Sequence, residues 1–182
     1  ATVRDFASSE NPDIAWRARR ALAARGLVDA GAIEAWRNAD GSGEAARMSV
    51  EALASLPLEE ARSHAWEAVF SESLSNDILT ATLAGLNASS WDGESGNASA
   101  VERLRSYWES HTIGMALRYA NGVLGYGLDI DREGSVERSV GLLRAWLDAH
   151  GDAPAQLRRI VLEHLDAFER DERVQRRWKH DQ

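Results

Sequence analysis

"LPLEEARSHAWEAVFSESLSNDILTATLAGL", residues 56–86, is the stretch on which the reading of this chain turns. Pro57 is placed to start a helix, since its missing N–H costs nothing in a first turn, and Glu59 and Glu60 suit the positive end of the helix dipole. Ala61, Ala65 and Val69 are small enough to let a neighbouring helix approach, and Trp66 can wedge between layers. Ser75 then caps a second helix, with Ile78, Leu79, Thr82 and Leu83 facing inward until Gly85. Two amphipathic helices joined by a short connection make an antiparallel hairpin.

The helical period continues in both directions, and sustained period-2 alternation is absent. Upstream, Asn11 and Pro12 open a helix carrying Ile14, Ala15, Ala18, Ala21 and Leu22, closed by Gly26. Asp29 caps a shorter one with Ala32, Ile33 and Trp36, and the break 40–43 precedes a third with Ala46, Val50, Leu53 and Ala54. Downstream, 87–98 reads as a long polar loop containing Trp91. Ser99 and Glu102 form an S-x-x-E capping box before a helix through Trp108. Thr112 begins another, with Met115, Leu117, Tyr119 and Val123, and two long helices follow over roughly 134–149 and 153–178.

About nine helices with mostly short connections predict an all-α fold. The expected form is an irregular helical-repeat superhelix, a single HEAT/ARM-like domain of stacked antiparallel pairs over 1–182. Tryptophans 16, 36, 66, 108 and 146 fall one per helix or hairpin, as inter-helix wedges would.

Composition narrows the function classes. A formal charge of −8 argues against a nucleic-acid partner, which needs a concentrated positive surface. The basic C-terminal residues Arg173, Arg176, Arg177, Lys179 and His180 suit the negative end of a helix dipole. Apolar runs fall short of a membrane span and the chain opens on no secretory leader, so a cytoplasmic location is expected. With no cysteine, thiolate chemistry and disulfides are excluded. Arginine in place of lysine, with Lys179 the only lysine, suggests a GC-rich bacterial source.

Catalytic motifs are missing. Only Glu60 and His64 pair at i, i+4, giving at most two ligands where catalytic zinc takes three and a water. Neither His-Glu-x-x-His nor G-x-S-x-G occurs, and "GVLGYG" (122–127) lacks the Gly-Lys-Ser/Thr of a phosphate loop. Arg158 and Arg159, beside the stripe Leu157, Ile160, Val161, Leu165 and Phe168, could meet a carboxylate through their guanidinium groups. No catalytic residue, metal ligand or cofactor is assigned to the chain.

Several stretches together resemble the C-terminal helical domain of actinobacterial-type aminopeptidase N. They are "AWRARRALAARGLVD", "IEAWRNADGSGEAA", the opening stretch 56–86, and "AWLDAHGDAPAQLRRIVLEHLDAFERDERVQ", in the order that family shows them. The middle departs from it: Leu86 stands where the family usually has phenylalanine, the loop 87–98 looks longer than usual, and "GYGLDID" replaces a proline-bearing turn. The resemblance implies a fragment, and a start at Ala1 without methionine agrees with that. Its partners would be the catalytic domain of the same polypeptide, which holds the zinc, and the peptide substrate. The implied role is to cap the active-site chamber of an enzyme that removes N-terminal residues from peptides, and under that reading Arg158 and Arg159 are the candidate peptide-contact residues. A stand-alone helical scaffold binding a protein partner is the alternative.

Overall fold

The computed structural model describes residues 2–71, 74–89, 97–125 and 135–180, with backbone alone at 97, 98, 135, 175 and 178–180. Most of the polar loop with Trp91, the stretch "GYGLDID" after Gly125, and the side chains of Lys179 and His180 lie outside the described residues. All regular structure among the described residues is helical. In order, the helices are α1 (Val3–Phe6), α2 (Pro12–Ala23), α3 (Ala30–Ala39), α4 (Gly43–Ala54), α5 (Glu59–Phe70) and α6 (Asn76–Ala88). There follow α7 (Asn97–Glu102), α8 (Leu104–Ser110), α9 (Ile113–Gly125), α10 (Ser135–Ala149) and α11 (Ala155–His180). They gather into two compact units, Ala1–Gly96 and Asn97–Gln182.

Local chemistry sets several boundaries where the sequence places them. The Asn11 side chain accepts from the N–H groups of Asp13 and Ile14, and Asp29 and Ser75 cap α3 and α6 in the same way. Gly26, at φ +64°, closes α2: the N–H of Leu27 reaches the carbonyl of Leu22 at 3.0 Å, and that of Gly26 the carbonyl of Ala23 at 2.8 Å. Those paired bonds are a Schellman close, which needs the left-handed conformation that glycine adopts without cost.

Other boundaries differ from expectation. Pro57 lies outside α5, before an N-cap at Leu58, and its ring packs against Gly26, where an added Cβ would lie 3.2 Å from Cγ. Ser99 and Glu102 form no head to a helix through Trp108: both lie within α7, and the helix breaks at Arg103 before α8. The break frees the carbonyl of Ala100, which accepts the hydroxyl of buried Tyr119 at 2.7 Å. Burial of that phenol raises its pKa far above the ordinary tyrosine value, so it stays a neutral donor.

In the first unit α4 is central, packing against α2, α3, α5 and α6. The face it buries overlaps the expected one only in part, at Ala54. Ala45, Ser49, Glu51, Ala52 and Ala54 are buried, while Ala46 is exposed and Val50 and Leu53 are half-buried. Helices on two sides rotate the buried face towards the small residues, and Glu51 is tolerated there because Arg20 of α2 pairs with it. The core joins Trp16, Ala23, Ile33, Ala45, Ala52 and Leu56. Arg19 lies over the rings of Trp16 and Trp36, at 4.9 and 5.3 Å from their centres. Trp16 Nε1 donates to Asp40 at 2.7 Å; with bonds from Ser42, this holds the Asp40 carboxyl below the usual carboxylate range.

In the second unit α8 packs on α9, α10 on α11, and α9 on α11. The stripe anticipated on α11 is buried in full: Leu157, Ile160, Val161, Leu165 and Phe168. Tyr119 stacks on Tyr107, ring centres 4.0 Å apart.

A recurrent device emerges that a fixed sequence period does not reveal. Trp36, Trp66, Tyr107 and Trp146 each stand three or four residues before the end of a helix that packs on its successor: α3, α5, α8 and α10. Tyr107, not Trp108, occupies this position in α8. One turn on, Phe70, His111 and His150 stack on the rings of Trp66, Tyr107 and Trp146, with centres 5.7, 3.8 and 4.6 Å apart. Nδ1 of His111 and His150 lies 3.2 and 3.0 Å from the carbonyls of Tyr107 and Trp146. In the Nδ1–H tautomer each imidazole donates to the carbonyl that also accepts the backbone N–H of the same histidine.

Candidate peptide-contact site

Arg158 and Arg159 lie just inside the start of α11, and neighbouring positions on a helix point in different directions. Arg158 turns back onto the end of α10, where Nη1 donates to the carbonyls of Leu147 at 3.0 Å and His150 at 2.7 Å. Both carbonyls lie at the negative end of the α10 dipole, and that of His150, just past the helix, also accepts the N–H of Ala153 at 3.1 Å. One guanidinium nitrogen therefore closes α10 against α11. Arg159 is exposed and 3.4 Å from Glu163, a surface i, i+4 pair. Within one helical turn the structure thus separates a buttress from a solvent-facing cation.

That separation sets an expected result. Arg158→Ala should lower unfolding free energy by about 2 kcal/mol, the scale of lost hydrogen bonds from a charged group. Arg159→Ala should stay within about 0.5 kcal/mol, as exposed pairs do. Urea denaturation of both variants checks the difference, and equal effects would refute the assignment of Arg158.

Reaching a neighbouring helix end by arginine is a repeated solution here. Buried Arg62, in the first turn of α5, donates to the carbonyl of Leu86 at 3.0 Å in the last turn of α6, so the two helices run antiparallel. Arg19 Nε donates to the carbonyl of Ala7, the C-cap of α1, at 3.0 Å. Neither role was anticipated. The available signal is an arginine on the apolar side of its helix: Arg62 stands three residues before Ala65 and four before Trp66.

Glu60 and His64 are both exposed on α5, and the described structure records no bond between them. Among the described residues no group of three or more His, Asp or Glu converges as a metal site would require. Gly122 is buried inside α9 and Gly125 is its last residue, so the described part of "GVLGYG" is helix rather than phosphate loop. At the end of α11, Arg173, Arg176 and Arg177 are exposed, and Arg176 pairs with Glu172. No helix among the described residues is long and apolar enough to cross a membrane.

Compared with known proteins, the sequence matches no protein-family model and no curated protein.

Proposed function

We propose that this chain is the noncatalytic C-terminal helical domain of a zinc-dependent aminopeptidase N, capping the active-site chamber and restricting or contacting the peptide. The observation that carries the reading is the ordered set of sequence stretches resembling that domain, above all residues 56–86. Helical hairpins that share an aromatic before the end of the first helix support it, as does the packed series α2, α4, α6. Such a series is how an irregular helical-repeat superhelix is built. In this reading zinc and catalysis belong to the catalytic domain of the same cytoplasmic polypeptide. Of the two candidate arginines, Arg159 is the one with a guanidinium facing solvent, and is the better placed to meet a peptide carboxylate.

The purified chain should hold no stoichiometric zinc by elemental analysis and cleave no aminoacyl reporter substrate. Stoichiometric zinc with turnover would sink the proposal. The coding sequence upstream of Ala1 separates it from a stand-alone protein-binding scaffold. An in-frame His-Glu-x-x-His favours the domain, and a start codon beside Ala1 favours the scaffold.

A further inference from the structure

Among the described arginines that are buried or half-buried, Arg20, Arg47, Arg62, Arg105 and Arg158 each spend a terminal guanidinium nitrogen on a carboxylate or a carbonyl. Arg19 does not. Its Nε donates to the carbonyl of Ala7, and its guanidinium lies over the rings of Trp16 and Trp36. Both Nη groups are left without a partner among the described residues. Neither Nη is shut away from solvent, in contrast with the buried, unpartnered indole nitrogens of Trp66 and Trp146.

Asp40 is the nearby anion, and its field reaches Arg19. Its oxygens are engaged elsewhere: Oδ2 accepts the Trp16 N–H at 2.7 Å and Oδ1 the backbone N–H of Ser42 at 3.0 Å. The fold thus fixes a cation and turns its neighbouring carboxylate towards other donors. With one nitrogen bonded and two indole rings against it, the Arg19 side chain has already lost the freedom that an exposed arginine gives up on binding an anion. The Nη1–Nη2 edge that remains carries two parallel N–H bonds, which match the two oxygens of a carboxylate. A dianion is a poorer fit, because the edge brings one positive charge and Asp40 lies close to it. Half-buried Trp36 supplies an apolar wall beside that edge.

We propose that Arg19 anchors a carboxylate-binding site, taking a monoanionic carboxylate on its Nη1–Nη2 edge while the apolar part of the ligand rests on Trp36. The site is complete within the first unit and does not depend on the aminopeptidase reading.

Nuclear magnetic resonance on the whole chain tests this, following the Arg19 side-chain N–H and Trp36 indole N–H signals. The probes are N-acetylphenylalanine, its amide and inorganic phosphate, each added at pH 7. The free acid should shift both signals and saturate at about 1–10 mM, the scale of a single charged anchor with a small apolar contact. The amide and phosphate should leave both in place. Arg19→Lys keeps the charge without the two-pronged edge and should weaken binding about tenfold, read at Trp36. Arg159→Gln, on the other unit, should leave the affinity unchanged. An Arg19 signal unmoved by the acid, or moved as far by the amide or by phosphate, would overturn the proposal, as would full affinity in a folded Arg19→Lys. Should that variant fold poorly, the three probes on the wild type decide alone.

Discussion

Gly85→Ala should destabilise the protein by about 3 kcal/mol, the upper end of overpacking costs. Gly85 does not end its helix, as its residue type suggests; it lies inside α6, buried where that helix meets α4. A Cβ there would stand 2.3 Å from the carbonyl oxygen of Glu51 and 2.7 Å from Cβ of Ala54. The obstacle is backbone, so no rotamer change relieves it and α4 and α6 must separate. Glu51 and Ala54 also hold the side of α4 that faces the first unit's interior, so displacement spreads beyond one contact. The favourable alanine propensity in a helix, worth about 1 kcal/mol over glycine, works against the clash without cancelling it. Urea denaturation measures the balance, and a midpoint equal to or above the wild type would show that the helices are not in close contact at Gly85.

Trp16→Ala should cost about 4 kcal/mol, within the range for truncating a fully buried tryptophan. The ring is 2% exposed and shares the core with Ile33, Ala45, Ala52 and Leu56, so it joins α2, α3 and α4. Truncation also removes the donor to Asp40 and one face of the Arg19 stack. Trp16→Phe keeps an aromatic ring for Arg19 and the core but loses the N–H, and should fall well short of the alanine variant. It should also relieve the downward pull on the Asp40 carboxyl, whose largest cause is the indole bond. That pull stabilises the folded form above the ordinary value of 3.8 and is lost as pH falls through the lower folded value, so Trp16→Phe should show a weaker acid dependence. Circular dichroism against urea at two pH values checks both statements; a loss for alanine no larger than for phenylalanine would count against Trp16 as a core member.

Much of the secondary structure was legible. Asn11, Asp29 and Ser75 mark helix starts because a cap is a bond to an N–H two or three residues away, a fact of the chain itself. The α11 stripe was legible too, since Leu157, Ile160, Val161, Leu165 and Phe168 leave one choice of buried face. Alanine-rich α4 offers no such contrast, and of Ala46, Val50, Leu53 and Ala54 only Ala54 is fully buried.

The candidate arginines show the same limit. Sequence places Arg158 and Arg159 side by side, but whether a guanidinium meets solvent or a helix end depends on where α10 stops beside it.

By itself, then, the sequence determined an all-helical chain, the heads of several helices and the side of α11 that is buried, because these follow from local bonds and helical periodicity. Only the tertiary structure decided that Gly85 is a helix contact, that Arg62 and Arg158 close neighbouring helices, and that Tyr119 takes the carbonyl freed at the α7–α8 break. Each of these depends on an atom from another helix. A glycine reads as a stop and an arginine as surface until the neighbouring backbone is in place.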